Sequence, residues 1–284
     1  MVCVNVSSQI IMKKFQAQPV AQLHPYIDRI WGWENEADEI IALPELLPGT
    51  GAELYFHYGS PFQSRNSVTD KLEKLAPSHL LCMRQQKLAL FAAADIGFIA
   101  VRFKIGMLPR FTDIPMRELA DQTVTAEDIW GQAARGLCSQ LSSADTLQEK
   151  LKLINAFLLG QLRLAAADAL IEQAMPLLYR RYADISIQEL ADHFHIGRRQ
   201  FERRFLAVSG QTANTVKCMS RFQHAVRSLM LSDASNAAVT ALDHGYYDQA
   251  HFIHDFKKLT GSSPEPYLKL ARTKTHFYNA SLSL

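Results

Sequence analysis

The densest run of chemistry-bearing side chains is Arg198-Arg199-Gln200-Phe201-Glu202-Arg203-Arg204-Phe205. Phe201 and Phe205 are four apart, so on a helix they share one face and must turn to a core. Arg199, Glu202 and Arg203 then fall together on another face. Arginine can bind guanine in bidentate fashion and glutamate can accept from cytosine, so a helix backed by aromatics and fronted by this set suits the DNA major groove. The pattern returns in Asp248-Gln249-Ala250-His251-Phe252-Ile253-His254-Asp255-Phe256-Lys257-Lys258. Phe252 and Phe256 repeat the core pair. Gln249, His251 and His254 project elsewhere, and Lys257 and Lys258 extend toward phosphates. Read as a metal pair, His251 and His254 would lack a third ligand.

Each reading helix needs a partner helix and a tight turn before it. In the first unit Ser186 caps a helix with Glu189 three residues on, a capping-box pattern. Ala191 is small, as a close helix crossing requires, and His195-Ile196-Gly197 supplies the turn. In the second unit Ala241 precedes Gly245 by the same four residues that separate Ala191 from His195. Gly245 takes positive φ without strain, and Asp248 is the expected N-cap. Between the units Arg221, Ala225 and Leu229 repeat at i, i+4, i+8, as on a long helix packed along one side. Two such heads on a rigid helix can enter successive major grooves, about 34 Å apart.

The charge distribution fits this division. The formal net charge is only +2, but residues 175–284 carry 14 Lys/Arg against 9 Asp/Glu and residues 1–174 carry 16 against 19. The basic back part is expected to meet a polyanion. The front part reads as strands near 52–58, 79–83, 87–93 and 97–104. Residues 20–33 read as a short helix running into an aromatic segment, and 60–78 as a long surface loop. Helices are expected at 125–141, opened by Thr125 and Asp128, and at 145–166. On the strand at 52–58, Glu53, Tyr55 and His57 alternate with Leu54, Phe56 and Tyr58, as on a half-buried strand with one solvated face. His24, His57 and His79 are scattered, so no metal site, cofactor or catalytic set is expected. Cys3, Cys82, Cys138 and Cys218 have neither zinc nor disulfide spacing and read as free thiols in the cytoplasm. No apolar run is long enough to span a membrane. The start is compatible with no secretory signal, and coherent patterning begins near Phe15, which leaves Met1 and Met12 as alternative starts.

Residues 184–270 resemble the DNA-binding domain of AraC/XylS-family bacterial transcription regulators. The matching residues are Leu190-Ala191, Phe201 and Phe205, then Arg221, Ala225 and Leu229. They continue through Ala241, Gly245-Tyr246, His251-Phe252 and Phe256-Lys257 to Gly261-Ser262-Ser263-Pro264 with Tyr267. The resemblance implies base contacts from Arg199, Glu202 and Arg203, flanked by Arg198, and from Gln249, Ala250, His251 and His254. Three departures stand out: His195 replaces a common Gly, Ala237 and Thr240 replace large aliphatics, and His254 replaces a common Arg. In the front part, residues 47–57, Val101-Arg102-Phe103 and Ile129-Trp130-Gly131 resemble the front domain of a subset of these regulators.

The expected fold is α+β. A mixed strand and helix domain over residues 1–165, cupin-like by analogy, senses an effector or forms a homodimer. An all-α domain of about seven helices with two helix-turn-helix units covers 168–273, and 274–284 form a tail. The expected partners are double-stranded promoter DNA, RNA polymerase and a small-molecule effector. Two other readings stay open. In one, a small-molecule-binding or enzymatic front domain carries a vestigial helix-turn-helix module; in the other, the chain is an architectural DNA binder.

Overall fold

The computed structural model describes residues 13–35, 43, 45–66, 70–92, 95–164, 168–231 and 242–272. The front part holds nine strands among the described residues: β1 (Lys13–Ala17), β2 (Ile27–Asn35), β3 (Ala52–His57), β4 (Gln63–Asn66), β5 (Leu72–Lys74), β6 (Ser78–Leu81), β7 (Leu88–Phe91), β8 (Ile96–Phe103) and β9 (Thr123–Thr125). They form an antiparallel six-stranded sheet in the order β1-β2-β8-β3-β6-β9 and a three-stranded sheet in the order β5-β4-β7. Helices α1 (Met116–Leu119), α2 (Ala126–Trp130), α3 (Gln132–Ser143) and α4 (Leu147–Gln161) cover one face of the large sheet. The back part contains α5 (Ala169–Arg180), α6 (Ile187–His193), α7 (Arg198–Ser209), α8 (Ala213–Leu231), α9 (Gln249–Thr260) and α10 (Pro264–Arg272). These are six helices among the described residues. Ala237, Thr240 and Ala241 lie outside them.

Four sequence expectations change in the front part. Residues 20–33 hold only a short 3-10 turn, Ala21–Leu23, before β2. The stretch 60–78 is not an open loop but contains β4 and β5, whose polar sequences disguise an edge sheet. The helix expected over 125–141 is two helices. Thr125 does cap the first, accepting from the Asp128 amide at 3.0 Å. Gly131 at φ 54°, ψ −131° then breaks the run, a conformation open essentially only to glycine.

The largest change concerns β3. Every residue from Ala52 to His57 is buried, so the strand has no solvated face. It is central, paired on both edges, and covered on both faces. Leu54 and Phe56 join the helix-side core with Ile99, Val101 and Leu158. The polar alternates face the second sheet, where Tyr55 packs with Trp31, Phe62, Leu90 and Phe98. Glu53 is tolerated there because Arg102 donates to it at 2.9 Å and the Tyr55 hydroxyl at 3.0 Å. His57 and His79 stack 5.4 Å apart, and His79 Nδ1 bonds the Ala76 carbonyl at 2.9 Å.

The two parts dock intimately. Met83 of the front part enters the core formed by α5, α6, α7 and the start of α8. Leu47 enters the second core, with Phe222, Ala225 and Val226 of α8. Gly210, at φ 72°, ends α7 with its Cα against α1, where an added Cβ would lie 2.5 Å from the Met116 carbonyl carbon. Thr50 donates to Gln223 Oε1 from its amide at 3.2 Å and its hydroxyl at 2.8 Å. Arg110 grips Glu172 at 2.5 and 2.8 Å.

Two outcomes follow from this packing. Gly210→Ala combines positive φ with a backbone clash, so urea unfolding should show a loss of about 1–3 kcal/mol or more; an unchanged midpoint would contradict the docked arrangement. Burial, with His79 adding to it, pushes His57 down to about 3, and burial pushes His79 down to about 4. Both are neutral when folded but take a proton near pH 6.5 when unfolded, so the unfolded state binds more protons and stability falls as the pH drops below about 6.5. His57→Phe should flatten the pH dependence between pH 6 and 5 by up to about 1.4 kcal/mol per pH unit, measured by denaturation at each pH.

Candidate nucleic-acid interface

The N-terminal end of the first unit follows from its cap. Ser186 Oγ accepts from the Glu189 amide at 3.1 Å, and Glu189 Oε2 accepts from the Ser186 amide at 2.7 Å. This reciprocal box fixes α6. Ala191 is fully buried at the crossing, and His195 takes the left-handed turn at φ 54°. Gly245, at φ 76°, occupies the corresponding turn of the second unit. Asp248 then caps α9, its Oδ1 accepting from the His251 amide at 2.7 Å. Phe201, Phe205, Phe252 and Phe256 are all fully buried.

The duplication extends to the helix ends. In α7, Ser209 Oγ donates to the Phe205 carbonyl at 2.8 Å and accepts from the Gln211 amide at 3.2 Å. In α9, Thr260 Oγ1 donates to the Phe256 carbonyl at 2.8 Å and accepts from the Ser262 amide at 3.3 Å. Each helix then stops at a left-handed glycine, Gly210 or Gly261. The Ser-Gly and Thr-Gly pairs are a second repeat that the sequence carries at the same place in both units.

The expected contact residues separate into two groups. Arg199 and Arg203 are exposed on α7 and line an open groove shared with Gln200, Leu206, Thr212 and Asn214 at the start of α8. Glu202 lines the same groove and accepts from the exposed Arg198 at 3.0 Å. Arg204, next to Arg203 in sequence, turns away to grip Asp168 at 2.7 and 2.5 Å. On α9, Gln249, Ala250, His254, Lys257 and Lys258 are exposed. His251 is partly buried, edge-on to Tyr246, with Nε2 3.6 Å from Asp255. Asp255 also receives Arg221 at 3.1 Å, and the Arg221 guanidinium lies 4.3 Å from the Tyr246 ring centre. Arg221 therefore fastens the second reading helix to the connector. Tyr247, 87% exposed just ahead of α9, is a further candidate for contact that periodicity could not reveal, since it lies in the turn.

Among the described residues no group of three or more His, Cys, Asp or Glu could hold a metal ion. No described helix is long and apolar enough to cross a membrane.

Tandem turns, aromatic-backed helices and exposed cations are the working parts of a helix-turn-helix DNA-binding protein. Residues 190–270 match the family model described as a helix-turn-helix domain, and residues 15–125 match a domain of unknown function, DUF6597. The back part belongs to the AraC-type helix-turn-helix domains, and the chain is a DNA-binding transcription regulator. Among curated proteins none matches. Among solved structures, ToxT from Vibrio cholerae is similar at 12% identity, covering 92% of this chain and 98% of that one, with a TM-score of 0.45. ToxT from strain SCE256 bound to an unsaturated fatty acid is similar at 12% identity over 95% and 98%, with a TM-score of 0.46. The DNA-binding domain of AdpA in complex with a target DNA is 26% identical over 38% of this chain and 96% of that one, with a TM-score of 0.34.

The split between free and engaged arginines gives a paired test. Arg203→Ala should weaken binding to a specific site by about 1–3 kcal/mol with an unchanged melting temperature. Arg204→Ala should lower stability by about 0.5–1 kcal/mol, since it breaks a half-exposed ion pair, and affect DNA affinity less. Fluorescence anisotropy and thermal unfolding of both variants read the two effects, and the reverse pattern would refute the assignment of the faces.

Proposed function

We propose that α7 and α9 read successive major grooves of one operator, with sequence specificity supplied by both. The observation that carries this reading is the repetition, on either side of α8, of the left-handed turn, the helix backed by two buried phenylalanines and the terminal glycine. Arg199 and Arg203 are the principal base readers of the first unit. Glu202 and Arg198 reach DNA as a coupled pair. Gln249, Ala250 and His254 face the second groove, His251 acts at its edge, and Lys257 and Lys258 hold phosphate.

The front domain is the regulatory part in this reading. It takes a small-molecule effector or pairs with a second copy, and the DNA-bound protein contacts RNA polymerase. The place of action is the bacterial cytoplasm, and the reading includes no catalytic step. The mutual burial of Met83 and Leu47 in the reading units' cores supports a front domain that acts on DNA binding through contact rather than through a loose tether.

Genome-wide mapping of bound sites, followed by anisotropy on the recovered sequence, tests the reading. A bipartite site with half-sites about one helical turn apart is expected. With about six phosphates contacted, affinity should fall by about three orders of magnitude between 50 and 200 mM salt. Affinity independent of sequence would favour an architectural binder instead.

A further inference from the structure

We propose that Leu206 reads the C5-methyl group of an operator thymine, an apolar contact among the polar ones of the first reading helix. The inference rests on the reading of α7 as a major-groove helix and adds one residue and one base to it.

Leu206 is 46% exposed. Among the described residues it is the one large apolar side chain exposed on either α7 or α9. Helical phase groups it with the base readers. It follows Arg199 by seven residues, close to two full turns, and Arg203 by three, so the three share a face. Phe201 and Phe205 take the face turned to the core.

The groove gives Leu206 no apolar company. Its rim carries Arg199, Gln200 and Arg203 from α7, with Thr212 and Asn214 across from them. Among the described residues that line it, no other exposed side chain is apolar. Thr212 Oγ1 is already engaged, accepting from the Thr215 amide at 3.1 Å.

Whatever covers this groove must therefore meet two guanidinium groups and one isobutyl group together. Protein interfaces are depleted of charge at their centres, so a lone leucine between arginines suits them poorly. The major groove suits it well. Arginine finds guanine acceptors there, and the thymine C5-methyl is the alkyl group displayed beside them on the base edges. Closing Leu206 on that methyl withdraws apolar surface from water on both partners.

The helical rise also places the thymine. Arg203 and Leu206 are about 4.5 Å apart along the helix axis, and successive bases are about 3.4 Å apart along a strand. The thymine thus stands within two base pairs of the pair that Arg203 contacts. Arg199, about 10.5 Å from Leu206 along the axis, reads farther off.

Fluorescence anisotropy of the full chain on the operator recovered by genome-wide mapping tests the proposal. Arg203→Ala first locates its base pair, as the position where base substitution ceases to matter. Each thymine within two base pairs of it is then replaced by uracil, which deletes the methyl and keeps the pairing. One replacement should weaken binding about fourfold, the worth of one buried methyl group. Leu206→Ala should bind the parent operator at least about fourfold more weakly and no longer distinguish thymine from uracil there. Leu206→Met, of similar volume, should keep the distinction, and neither change at this exposed site should move Tm. A window without thymine, uracil replacements without effect, or a methyl effect that Leu206→Ala retains in full overturns the proposal. So does a Leu206→Ala that weakens every DNA sequence alike, as a contact to sugar and phosphate would. A specific site that shows the Arg203 effect but no methyl effect leaves the operator reading standing. The absence of a specific site, or of any position that Arg203 reads within it, overturns both.

Discussion

One buried stripe along α8 holds the molecule to a single arrangement. Val216 and Met219 at its start belong to the core of the first reading unit. Phe222, Ala225, Val226 and Leu229 belong to the core of the second. The helix has 19 residues, about 28 Å at 1.5 Å per residue, so the two units cannot vary their separation without breaking one of these cores. Burying side chains of this size stabilises by roughly 1.5–3 kcal/mol each, which makes the connector a structural element of both units rather than a linker between them. Arg221 completes the arrangement by gripping Asp255 and covering Tyr246.

The same stripe ties the front domain to the reading heads. Leu47 packs beside Phe222, and Gln223 accepts from Thr50. At the other end, Gly210 lets the end of α7 approach the α1 backbone. The front sheet is therefore fixed against both units through contacts to α7 and α8. A change in the sheet's inner face reaches DNA through packed surfaces, in which small shifts are transmitted rather than absorbed.

The back part was largely legible from its sequence because its determinants are local. Ser186 with Glu189, Asp248 with the His251 amide, the paired phenylalanines and the turn glycine each depend on residues within four positions. Even the left-handed His195 could be anticipated from its place in the turn. The front part was less legible because its determinants are not local. The alternation on β3 indicated a strand, but nothing within it showed that a second sheet, built from β4, β5 and β7, would cover its polar face. Glu53, Tyr55 and His57 read as surface residues because their partners are Arg102 and His79, 49 and 22 residues away from Glu53 and His57 respectively. The break at Gly131 is not legible in the sequence because a glycine inside a helical pattern is usually tolerated, and only its φ of 54° ends the helix.

Counting charges alone would also mislead about the interface. Four arginines crowd the first turns of α7, yet two are committed within the protein: Arg198 to Glu202, and Arg204 to Asp168. The Arg204 pair joins α7 to the N-terminus of α5, where Asp168 also accepts from the Ile171 amide at 3.3 Å. That interaction ties α7 to α5 and leaves Arg198, Arg199 and Arg203 as the exposed arginines of α7, Arg198 beside Glu202. The presentation of this unit's exposed face then depends on Arg204, an arginine turned away from that face that holds the helix carrying its neighbours.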